Sequence, residues 1–169
     1  MKPELSDLTP KLIECLRHEL EEYGEMLVVL DRQQESVMAR AAEEVMRTVA
    51  ACNEQMKQIQ SARQQRLDCQ KEVATLLGRA DETEFKTLIP LLPPLYRLAV
   101  ESLVRENNDL LVRVQQRARQ NHLLLGRALQ LMQQFIDVLM PAAGPPTYNG
   151  DGALRPVARR PAGIYEAVG

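Results

Sequence analysis

Tryptophan is absent from this chain, and Phe, Trp and Tyr together make only 4% of its 169 residues. What apolar content there is, 45% in all, is Leu, Val, Ala and Met, which suits helices better than sheets. No aromatic residue is interleaved with the basic ones, so bases would find no stacking platform. The formal net charge is only −2, which leaves no global field favouring nucleic acid. Along the helical stretches Arg alternates with Glu and Asp, as at Glu101, Arg105, Glu106, Asp109 and Arg113. That alternation reads as a solvated helix face.

Chemistry-bearing motifs are equally scarce. The three cysteines, Cys15, Cys52 and Cys69, fit no zinc spacing, and an odd count points to a reducing compartment. The two histidines, His18 and His122, are preceded three residues earlier by Cys15 and Arg119, so neither completes the Glu-x-x-His of a di-iron bundle. Neither a Gly-rich phosphate loop nor Gly-x-Ser-x-Gly occurs. No catalytic residue, cofactor or metal is expected. The segment Met1–Leu16 carries Glu4, Asp7 and Glu14 and matches neither a signal nor a transit peptide. The longest uncharged run near the middle, Thr87–Tyr96, is too short for a membrane span and contains Pro90, Pro93 and Pro94. The expectation is a cytoplasmic protein.

Helix punctuation supplies the organisation. Thr9-Pro10 reads as a helix start, with Thr9 as N-cap. Leu12, Leu16, Leu20, Tyr23, Leu27 and Leu30 then recur every three or four residues, and a weaker stripe continues through Val37, Val45, Cys52, Met56 and Ile59 to Leu77. Read straight through, this is one helix of about 70 residues and ~105 Å, stranding its stripe in water. Folding back is cheaper, and the break is expected within residues 40–44, where no Gly or Pro marks it. Gly78 reads as a C-cap, Asp81-Glu82-Thr83-Glu84 as the start of a short helix, and Pro93-Pro94 as the start of the last long helix, from about Leu95 to Met140. Residues 141–169 are dense in Pro and Gly and keep no period. The expected fold is all-α: an elongated antiparallel bundle of about three long helices over residues 1–140, with one short helix in the linker. A flexible, irregular tail is expected over residues 141–169.

Two features of the last helix go beyond the bundle. Asn107 and Asn121 interrupt its seam of Leu103, Leu110, Val114, Leu124, Ala128, Leu131, Phe135 and Val138, while the second helix turns polar at Arg63 and Arg66. Antiparallel pairing would bring Arg66 near Asn107, giving either an exposed edge or a polar layer that fixes register. The stretch Leu123–Met140 is apolar over an arc of ~200°, where a bundle helix needs little more than ~100°. Leu124, Ala128, Leu131, Phe135, Val138 and Leu139 form a packing face. Leu125, Leu129, Met132, Ile136 and Met140 form a spare face rotated by ~100°. Surplus apolar surface of this kind calls for a partner.

The ordered set Gln120-Asn121-His122-Leu123-Leu124, then Leu129-x-Leu131-Met132-Gln133-Gln134-Phe135-x-x-Val138-Leu139, then Thr147-Tyr148-Asn149-Gly150-Asp151-Gly152, resembles the FlgN-type flagellar export chaperones. That family's signature has two asparagines three apart, and the earlier position here is Ala118. The resemblance implies a chaperone of bacterial flagellar type III secretion. Such a protein binds hook–filament junction (hook-associated) proteins, prevents their premature assembly and delivers them to the export gate. On that reading Leu125, Leu129, Met132, Ile136 and Met140 bind the client, and Tyr148 contacts the gate. An amphipathic client helix laid on an apolar groove is a common recognition mode, and methionines let the groove accept more than one sequence. The alternative is a structural coiled-coil or adaptor protein that homodimerises through the spare face.

Overall fold

The computed structural model describes residues 4–139 of the chain. The order is α1 (Leu5–Met38), α2 (Ala42–Leu76), α3 (Phe85–Leu88) followed by a 3₁₀ turn at Ile89–Leu91, and α4 (Pro94–Leu139). The described residues are helical without a strand, and three long helices carry the fold. Among the described residues, 4–126 make one compact unit and 127–139 belong to a second.

In the first unit, α1 and α2 form an antiparallel hairpin, clasped by Lys11–Glu72 at 3.2 Å and Arg32–Glu44 at 2.9 Å. The break falls at Ala39–Ala41, at the early edge of the expected interval. Arg40 sits there at φ 56°, the left-handed region glycine ordinarily fills. Its N–H donates to Val37 O, and that of Ala41 donates to Ser36 O. These two bonds are the Schellman pattern that satisfies a helix C-terminus. Gly78 repeats the arrangement after α2 at φ 65°, with bonds to Thr75 O and, from Arg79, to Ala74 O. No glycine marks the first break because an arginine occupies the glycine position.

Two helix starts differ from expectation. α1 begins at Leu5, not at Thr9-Pro10; Thr9 is buried within the helix and its Oγ1 donates to Leu5 O at 2.6 Å. The apolar spacing explains this. Leu8 and Leu12 are buried in the first core cluster and Leu5 packs against it, which favours helix on both sides of Pro10. Asp81 does not cap the short helix either. It pairs with Lys71 at 2.9 Å, and Glu84 holds the N-cap position without a side-chain bond.

One core cluster joins Leu8, Leu12, Ile13 and Leu16 of α1 to Cys69 and Val73 of α2, and to Leu92 and Val100. A second joins Tyr23, Met26 and Leu30 to Val114, with Cys52 and Ile59 against it. The buried residues of α4 are Val100, Asn107, Val114 and Asn121, each seven after the last. A strict seven-residue period is the signature of left-handed coiled-coil packing.

Candidate binding surface and the polar core of the bundle

The asparagines of α4 are register pins. Asn107 Nδ2 donates to Leu16 O at 2.9 Å, and Asn121 Nδ2 donates to Leu30 O at 2.7 Å; both bonds span the same offset of 91 residues. α4 therefore runs parallel to α1, fixed at two points ~21 Å apart along the axis. Asn121 also donates to Gln33 Oε1 at 3.0 Å. Both asparagines are buried, and their Oδ1 atoms have no protein donor. Of the two readings of these polar positions, the buried layer is the one the structure adopts. A slip of one residue in either helix would strand both amides, so the pair discriminates between registers at a cost in stability.

Between them lies a charged layer. Glu19 of α1 is buried and meets Arg66 of α2 at 2.8 Å. Tyr23 Oη donates to Glu19 Oε1 at 2.9 Å. Arg66 also donates to Gln70 Oε1 at 2.8 Å, and Gln70 Nε2 donates onward to Thr83 O at 2.8 Å. The guanidinium lies 5.9 Å from the centre of the Phe85 ring, within cation–π reach. Burial first, and then the Glu19 carboxylate, push the Tyr23 phenol up to about 12. Arg66 and Asn107 line the same groove of about 840 Å³. Glu19, Tyr23, Arg66 and Gln70 are linked to one another and to Thr83 O, which fastens α1 and α2 to the segment before α3. Nothing in the sequence singles out Glu19 as the partner of Arg66, because Glu21, Glu22 and Glu25 follow it closely on the same helix.

The surface follows from where burial stops. Asn121 is the last buried residue of α4, Leu124 and Leu125 are half-buried, and every residue from Gly126 to Leu139 is exposed. Of the spare face, Leu129 is 67% exposed, Met132 60% and Ile136 43%. Met140, the last of that face, and Tyr148 lie outside the described residues. The division into a packing face and a spare face does not hold here. Leu131, Phe135, Val138 and Leu139, assigned to packing, are exposed over the same range as the spare face or beyond it, and Ala128 is exposed too. A packing face needs a covering helix, and none covers residues 126–139 among the described residues. Polar relief is sparse: Arg127, Gln130 and Gln134, and Gln133 donating to Asp137 Oδ1 at 2.9 Å. Among the described residues no cluster of His, Cys, Asp and Glu is arranged to hold a metal, and no helix is long and apolar enough to cross a membrane.

A helical bundle with an interior pinned by polar layers and a long helix ending in bare aliphatic surface is built to bind another protein. The family model described as FlgN protein matches residues 1–156, and the chain belongs to that family of flagellar export chaperones. No curated protein and no solved structure shows a match to the chain.

Proposed function

We propose that this chaperone captures hook–filament junction proteins in the cytoplasm through the end of α4 and delivers them to the export gate through Tyr148. The carrying observation is the run from Gly126 to Leu139, exposed throughout yet holding Leu129, Leu131, Met132, Phe135, Ile136, Val138 and Leu139. Bare surface of this kind on a helix invites an amphipathic partner helix. The client contacts are Leu125, Leu129, Met132, Ile136 and Met140, joined by Leu131, Phe135 and Val138. Each aliphatic side chain fully buried contributes ~1.5–3 kcal/mol gross, more than enough for micromolar binding after ordering costs are taken out. No cofactor or catalytic group enters this mechanism.

The test is co-purification with co-expressed hook-associated proteins. The variant carrying Leu129→Asp and Ile136→Asp loses the client while its circular dichroism stays helical. The affinity loss expected from two charged replacements is about 100-fold or more. Capture by that variant at wild-type affinity would refute the assignment. Tyr148→Ala retains the client and blocks its hand-over; normal secretion would remove Tyr148 from the mechanism. Light scattering separates this reading from self-assembly, since a stable dimer dissociated by Leu129→Asp would assign the surface to a second copy of the chain.

A further inference from the structure

The Sγ atoms of Cys15 on α1 and Cys69 on α2 stand 3.1 Å apart. Both are free thiols, and the two differ in setting: Cys15 is half-buried, whereas Cys69 is buried in the first core cluster. Cys52 belongs elsewhere, against the Tyr23–Val114 cluster. One turn before Cys15, the Lys11 ammonium bridges α1 and α2 through Glu72 at 3.2 Å. Its pKa is raised first by the hydrogen bond to Glu72 and next by the field of Cys69, so this cation lies within electrostatic reach of Cys69. Burial pushes the Cys69 thiol up to about 12; Cys15, the more exposed of the two, is the first sulfur a dissolved oxidant meets.

We propose that Cys15 and Cys69 form a redox-reactive pair that closes to an intramolecular disulfide between α1 and α2, with a hydroperoxide as oxidant. The Cys15 thiolate attacks a peroxide oxygen. The O–O bond breaks, the sulfur becomes a sulfenic acid, and the departing hydroxide is protonated to water. Cys69 then attacks the Cys15 sulfur. The S–S bond forms, the S–O bond breaks, and the leaving hydroxide takes the Cys69 proton as a second water. Two thiols have lost two electrons and one peroxide has gained them. Bond formation requires the sulfurs to approach by about 1 Å more, within reach of small side-chain rotations.

The cross-link would tie the α1–α2 hairpin beside the Lys11–Glu72 clasp and close a loop through the whole turn. Closing so long a loop restricts the unfolded chain and stabilises the bundle, without involving Gly126–Leu139. The pair would thus lock the packed unit under oxidising conditions and leave the exposed helix end open to its partner.

The test uses the full chain, dilute hydrogen peroxide, intact mass and a non-reducing peptide map. The expected product has one titratable thiol, at Cys52, a mass lower by about 2 Da, and a Cys15–Cys69 linked peptide. Its Tm rises by on the order of 10 °C and returns when dithiothreitol is added. Cys15→Ser gives no mass loss and no Tm rise while its untreated Tm stays near wild type. Lys11→Met slows the reaction several-fold. A gain of about 32 Da on Cys15 with Cys69 still titratable, marking sulfinic acid instead of a bond, would overturn the proposal. So would a disulfide through Cys52.

Discussion

Replacing Arg66 by Met isolates the charged layer at the centre of the bundle. Arg66 and Glu19 meet at 2.8 Å with side-chain exposures of only 13% and 5%. The substitution keeps most of the aliphatic stem but leaves the Glu19 carboxylate buried without its countercharge. Gln70 loses the donor to its Oε1, and Phe85 loses the guanidinium over its ring. Breaking one side of a buried ion pair costs about 3–5 kcal/mol, a large part of the 5–15 kcal/mol typical of a folded domain. At a urea slope near ~2 kcal/mol/M, the unfolding midpoint should fall by about 2 M. Adding Glu19→Leu removes the stranded charge, at the lesser cost of taking the acceptor from Tyr23. The double variant should therefore recover part of the loss. Urea titrations of the wild type, the single variant and the double variant decide the matter. A midpoint shift below about 0.5 M for Arg66→Met would refute the reasoning, because it would mean that water or another base already compensates Glu19.

Two further perturbations follow from local geometry. Arg40→Gly relieves a left-handed residue at the α1–α2 turn and should stabilise the protein by about 0.5–1 kcal/mol, read as a rise in Tm. Tyr23 is held neutral in the fold, its phenol pushed up to about 12 from an ordinary 10. The stability this contributes is present below pH ~10, where both states are protonated. As pH rises from ~10 to ~12 the unfolded phenol ionises first, and about 2–3 kcal/mol is lost. Tyr23→Phe should flatten that alkaline limb, which denaturation midpoints at pH 8 to 11 would show.

How far the chain announces its structure depends on whether the deciding force is local. Gly78 and Pro93-Pro94 mark helix ends through backbone conformation, and both are legible. Arg40 fills the same role as Gly78 with a residue that gives no such signal. The Schellman bonds and the hairpin packing hold it there, and these exist only after folding. Likewise Pro10 looked like a helix start because the local rule is strong, while the burial of Leu8 and Leu12 won. The polar positions Asn107 and Asn121 were visible as interruptions of a seam. Their function as pins depends on Leu16 and Leu30 of α1, 91 residues away, although the seven-residue spacing from Val100 could have flagged them. The apolar arc at the end of α4 is legible in the helical spacing of its apolar residues. Whether any of its faces is covered depends on neighbours, which helical spacing alone does not supply.

Hydrogen exchange on the free and client-bound chaperone tests the central claim most directly. Helix amides within the packed unit should exchange slowly in both states. Those from Arg127 to Leu139, on a helix end without a covering layer, should exchange fast in the free protein and become strongly protected when a hook–filament junction protein binds. Protection confined to residues 1–126, with Arg127–Leu139 unchanged, would contradict the account.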